Sequence, residues 1–168
     1  MKRNEVNGII NFLDRVPVSK IKQKPIRTRL TIAVFTLQKE SREINSGISD
    51  LRDTIIKGKE DRMKQFSEAA QNYNLAKTVA EKEQLMSRLN REFAEEQKLN
   101  EQINDSINAY LEEDASCTIK PFDLEEFMEV MSSVGIEVTG RELRAIEPIL
   151  KLSEPDITSS EKGKGKNK

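Results

Sequence analysis

Between Ile26 and Lys57 the apolar residues Leu30, Val34, Leu37, Ile44, Ile48, Leu51 and Ile55 follow one another at steps of three and four, around a polar Ser41. A period near 3.5 lays one stripe along an α-helix and gives neither face of a strand a consistent character. It therefore commits this stretch to a long helix that must bury its stripe against something. With Leu30, Leu37, Ile44 and Leu51 at d, the a positions fall on Val34, Ser41, Ile48 and Ile55, close to the β-branched a and leucine d pattern of paired helices. Each stripe side chain contributes on the order of 1.5–3 kcal/mol once buried. Residues 26–114 are read as a long antiparallel helical hairpin, coiled-coil-like, whose seam is a candidate protein-contact surface.

Gly58, within Lys57-Gly58-Lys59, suits the left-handed conformation that ends many helices, and it marks the expected reversal of the hairpin. The returning arm carries Leu75, Val79, Met86, Leu89, Phe93, Ile103, Ile107 and Tyr110 on one stripe. Asn72 and Asn74 weaken its start. Two layouts follow: one helix from Glu60 to Glu112, or a short helix over Asp61–Ala70, a break at Asn72–Asn74 and a final helix of about 36 residues. The second is favoured, because the last helix then matches the first in length and both seams bury along their whole extent. Glu96 and Asn100 interrupt the stripe, which predicts a frayed or wet section of the seam, or a place where another chain docks.

Residues 1–25 read as a short helix and a basic loop. Val6, Ile9, Ile10 and Leu13 recur at helical spacing behind Asn4 as cap, Val16-Pro17-Val18 is extended, and Pro25 suits the first turn of the next helix. Residues 115–152 read as a small capped two-helix unit. Asp123 with Glu126 makes a capping box stapled by Phe122 and Phe127, and Thr139 with Glu142 makes a second, stapled by Val138 and Leu143. Between them Gly135 takes the left-handed turn while Ile136 folds back on Met131. Pro148 ends or kinks the second helix near Glu147. Thr118-Ile119-Lys120 and Ile136-Glu137-Val138 are β-inclined enough to pair as a tiny ribbon. Residues 153–168, a Lys, Gly and Ser tail, are expected to be disordered, having too little apolar surface to bury. The expected fold class is all-α.

Composition narrows the chemistry. The chain has no His, no Trp and a single Cys117. The commonest general base, the commonest transition-metal ligand, an intrachain disulfide and a thiolate zinc cluster are therefore all missing from it. No catalytic residues, metal site or cofactor are expected. The sequence shows neither a signal-peptide apolar run nor a stretch long enough to cross a bilayer, which predicts a cytoplasmic protein without membrane contact.

The formal charge of −1 hides a segregation: residues 1–29 carry +6, residues 162–168 carry +4, and the remainder carries −11. Lys20, Lys22, Lys24, Arg27 and Arg29 form the densest cationic cluster, suited to an acidic protein surface or to phosphates. No aromatic residue is interleaved among them to stack on bases, which argues against nucleic acid.

Other motifs fail on chemistry. The two short helices around Gly135 have the outline of a DNA-reading helix-turn-helix, and Arg141 and Arg144 lie on the second. Asp123, Glu125, Glu126, Glu129, Glu142 and Glu147 would all be repelled by phosphate. The Gly135–Val138 turn has too few oxygen ligands for calcium. Glu125/Glu126 and Glu95/Glu96 are adjacent on helices, so their carboxylates point apart. Gly163 and Gly165 follow no strand and make no phosphate loop, and Cys117 has no His partner to activate it.

The order of parts nevertheless resembles that of small helical proteins of unassigned biochemistry encoded among the structural and assembly genes of tailed bacteriophages. The likeness runs over residues 6–150: Asn11-Phe12-Leu13 closing an amphipathic start, Val16-Pro17-Val18, Pro25-Ile26-Arg27-Thr28-Arg29 opening a long helix, a returning helix and a small capped unit. The resemblance implies a virion or tail-assembly role without catalysis and assigns no site residues. The expected function is accordingly structural or assembly-related, through protein–protein contacts in a homo- or hetero-oligomer. Two rivals stand beside it: a nucleic-acid-binding accessory protein using the basic segment and lysine tail, and a small inhibitor or regulator of an enzyme.

Overall fold

The computed structural model describes residues Met1–Lys151, and the expected disordered tail lies outside them. The described chain is mainly helical: α1 (Arg3–Leu13), α2 (Lys24–Ile56), α3 (Glu60–Leu75), α4 (Val79–Glu92), α5 (Ala94–Leu111), α6 (Leu124–Ser133) and α7 (Gly140–Ile146). Two-residue strands β1 (Phe122–Asp123) and β2 (Leu150–Lys151) pair in parallel. Two compact units divide the chain, one of Met1–Val6 with Leu37–Cys117, the other of Asn7–Thr36 with Thr118 onward.

The first unit is a hairpin, but its reversal is not where Gly58 suggested. A Cβ built on Gly47 would fall on the Tyr110 ring, and Glu40 bonds Ser116. Arg62 bonds Glu96, and the Phe66 and Phe93 rings lie 6.1 Å apart. Partners thus step toward each other at equal rates along the two arms and converge between Leu75 and Val79. The outgoing arm is α2 followed by α3, and the return is α4 followed by α5. Gly58, at φ 78°, ends α2 as a left-handed C-cap should, yet it is a joint within the outgoing arm. The turn itself is stopped and restarted by Thr78, whose hydroxyl accepts from Glu81 N–H while the Glu81 carboxylate accepts from Thr78 N–H, a complete capping box.

The returning arm is therefore neither continuous from Glu60 nor broken at Asn72–Asn74. Those asparagines sit inside α3, and a second interruption falls at Phe93, buried at the junction of α4 and α5. Met1–Val6 clasps the far end of α5. Arg3 lies 3.9 Å over the Tyr110 ring and donates to Tyr110 O and the Glu113 carboxylate, and Ala115 N–H donates to Met1 O. Asn4 does not cap α1. Lys2 N–H donates to Glu5 Oε2 instead, and the Asn4 amide reaches Glu112.

The second unit follows its local signals closely. Asp123 accepts from Glu125 N–H and Glu126 N–H, but the expected box is only half made, because the Glu126 carboxylate lies toward Arg29 instead of returning to Asp123 N–H. The Phe122 and Phe127 rings sit 5.7 Å apart as the staple requires. Thr139 and Glu142 form the reciprocal box. Gly135 takes φ 78°, and Ile136 N–H donates to Met131 O at 2.9 Å. The Glu142 carboxyl is held down to about 2 by Thr139 N–H and hydroxyl and by Arg15. The Thr118–Lys120 and Ile136–Val138 ribbon does not form, because Ile136 is taken by the helix-ending turn and Val138 leads straight into the next cap. Val16-Pro17-Val18 is tighter than an extended stretch: Val18 N–H donates to Val16 O, and a 3-10 turn follows over Val18–Lys20. A core of Ile9, Phe12, Leu13, Phe127, Met131 and Ile146 closes the unit.

Candidate functional site

The α2 stripe is buried, though not the one the apolar residues outline. Ile26, Leu30, Ala33, Leu37, Glu40 and Ile44 are buried, whereas Val34, Ser41, Ile48, Leu51 and Ile55 are only half buried. The d column is as read from Leu30 through Ile44, with Leu51 half buried, but its partner column lies three residues after each d instead of four. That second column is Ala33, Glu40 and Gly47: small residues or hydrogen-bonding ones, which let neighbours come close where a β-branched side chain would hold them off. None of the seven predicted seam residues is fully exposed, so the d positions serve the chain's own core.

Glu40 is the polar member of this column and is 4% exposed. It accepts from Ser116 N–H at 2.7 Å and from the Ser116 hydroxyl at 2.6 Å. Burial pushes its carboxyl up, but these bonds, the Cys117 backbone and the charge of Arg3 outweigh that and bring it below its ordinary value. The neighbouring Cys117 thiol is pushed up by burial and by the Glu40 charge, so it stays protonated, the opposite of what an activated nucleophile needs. Glu96, anticipated as a wet or docking position, is buried and held by Arg62, whose guanidinium also lies 4.8 Å over Phe93 and donates to Glu92 O. Both buried carboxylates are fastenings of the hairpin. Asn100 is exposed. Among the described residues no three carboxylate or thiol groups gather as a metal ion would need, and no helix is long and apolar enough to cross a membrane.

The five cations of the predicted cluster have different fates. Arg29 belongs to the fold: it donates to Pro121 O at 2.7 Å, lies 4.6 Å over Phe122 and is 3.9 Å from Glu126. Arg27 is half buried and donates to Ile21 O. Lys20, Lys22 and Lys24 are exposed and have no ion pair among the described residues.

Beside them the structure shows a feature the sequence reading missed. Ile32 and Phe35 project into solvent from α2, 59% and 67% exposed. An open groove of about 430 Å³ runs alongside, lined by Val18, Ser19, Arg27, Thr28, Thr31 and Ile32. The signal was only partial: Ile32 and Phe35 lie off the predicted a and d columns of this helix, but so do Ile26, which is buried, and Ile56, which is half buried. Leu75, Val79 and Met86 are exposed as well, and Leu75 lines a cleft of about 630 Å³ at the α3–α4 turn together with Lys77, Glu81, Leu85 and Arg88. Leu75, Val79 and Met86 were expected inside the returning stripe, but α3 and α4 meet through other residues near the turn.

No protein-family model matches the chain, and neither a curated protein nor a solved structure is significantly similar to it.

Proposed function

We propose that this chain is a non-catalytic structural or assembly protein that works through protein–protein contacts, as a phage virion or tail-assembly component would. The observation that carries the reading is the pair of exposed apolar sets, Ile32 with Phe35 and Leu75 with Val79 and Met86, on a fold whose other apolar stripe residues are buried or half buried. Scattered apolar residues are ordinary on a surface, but neighbouring large ones on rigid helices are what partners dock on. The carboxylates that a catalytic reading would recruit, Glu40 and Glu96, are occupied in holding the hairpin.

Light scattering across a concentration series, with chemical cross-linking in the native lysate, tests the reading. Self-association or a stoichiometric cross-linked protein is expected, weakened by Phe35→Asp or Val79→Asp. A strict monomer that cross-links to nothing at any concentration would count decisively against it.

A further inference from the structure

The exposed face of α2 in the second unit combines two properties that narrow what can cover it. The first is charge. From Arg15 to Thr36 the chain carries six cations and no carboxylate. Arg15 is ion-paired with Glu142, and Arg29 lies against Glu126. Lys20, Lys22 and Lys24 have no such partner among the described residues, and Arg27 lines the groove itself. The second property is shape. Lys24, Thr28, Thr31, Ile32 and Phe35 fall on one side of α2 at helical spacing, and Val18 lines the same groove as Thr28, Thr31 and Ile32.

We propose that this face docks an acidic amphipathic helix of a partner protein, its apolar stripe laid against Ile32, Phe35 and Val18 and its carboxylates meeting Lys20, Lys22 and Lys24. The inference rests on the assembly reading above and names the partner's chemistry. A helix laid in a groove presents anchors every third and fourth residue, the spacing Thr28, Ile32 and Phe35 offer in return. Lysines at the border of such an apolar strip favour an acidic partner and repel a basic one. Nucleic acid fits less well, because Ile32, in the middle of the face, has nothing to offer a phosphate and one exposed phenyl ring makes a poor stacking platform. An anionic membrane surface would find few large apolar side chains to bury.

The probe is a fluorescein-labelled helical peptide with leucine at i, i+3, i+4 and i+7 and glutamate on its flanks, titrated with the full chain and read by anisotropy. Saturable binding is expected, weakened at least ~10-fold by Ile32→Asp or Phe35→Asp. Changing Lys20, Lys22 and Lys24 together to Gln is expected to weaken it roughly 3–10-fold and to flatten its salt dependence. All five side chains are exposed, so circular dichroism and Tm should be unchanged and binding loss can be read directly. A scrambled peptide of identical charge should bind at least ~10-fold more weakly, since the stripe is what is recognised. The proposal is overturned if the scrambled peptide binds equally, if the aspartate variants bind like the wild type, or if no saturable binding occurs. It is equally overturned if a duplex DNA oligonucleotide or phosphatidylserine vesicles bind this face and the peptide does not. A chain that self-associates or cross-links but ignores the peptide sinks this proposal alone and leaves the assembly reading standing.

Discussion

At the scale of single residues the fold turns on positions that look unpromising. Gly47 lies inside a helix, where alanine ordinarily gains about 1 kcal/mol over glycine. Here a Cβ would stand 2.6 Å from Tyr110 Cζ, on a ring that also carries the Arg3 guanidinium 3.9 Å from its centroid. Overpacking of this kind costs about 1–3 kcal/mol. We expect Gly47→Ala to lower stability by about 1 kcal/mol net, and the same change in a Tyr110→Ala background to raise it by up to about 1 kcal/mol. Urea denaturation of the four proteins in this cycle reads the reversal, and additivity of the two changes would refute the packing account. Glu40 supplies a pH test. Its carboxyl titrates lower in the folded chain than unfolded, so its stabilisation is complete above the unfolded value and is lost as pH falls through the folded one. Glu40→Gln should cost about 1–2 kcal/mol at neutral pH and show a shallower stability loss on acidification than the wild type. Equal acid limbs would remove Glu40 from that role. Neither position was legible beforehand, because hydrophobicity cannot show that a glycine and a glutamate share a buried column.

Among the elements, the helices that carry their own punctuation were readable and those that depend on a partner were not. Asp123, Gly135, Thr139 and Pro148 act through backbone groups a few residues away, so their sequence signals are nearly sufficient. The direction of the long arms depends on contacts tens of residues apart. Gly58 ends a helix in either topology, and only Thr78 with Glu81 marks the true turn. Their T-x-x-E signature stands in the sequence four residues after Asn74, and it is a stronger stop-and-start signal than the two asparagines. Electron-spin distances separate the two topologies. In a Cys117→Ser background, labels at Glu68 and Arg91, which the register of Arg62 with Glu96 and Phe66 with Phe93 sets at the same level of the hairpin, should lie within about 20 Å of each other. Labels at Ser49 and Glu68, on the same arm, should be nearer 28 Å, about 1.5 Å per residue. A turn at Gly58 demands the opposite order, and observing that order would overturn the arrangement.

For the whole molecule, the decisive feature is that the two units do not divide where the helices do. The boundary falls inside α1, after Val6, and inside α2, after Thr36. Unfolding one unit alone would expose fresh helix ends in both, each leaving backbone groups unsatisfied and forfeiting the cooperativity of a continuous helix. We therefore expect one transition for the entire chain. The molecule supplies its own local reporter: there is no Trp, and both tyrosines, Tyr73 and Tyr110, belong to the first unit. Tyrosine fluorescence follows that unit alone, while far-ultraviolet circular dichroism follows the helices of both units. The two curves should coincide for the wild type. Thr36→Pro, which breaks α2 at the boundary at a cost of about 3 kcal/mol, should pull them apart, with the tyrosine midpoint shifting less than the dichroism midpoint. Curves that already diverge in the unmodified chain would mean that the shared helices transmit nothing, and that the basic face of the second unit and the hairpin of the first respond to their surroundings independently.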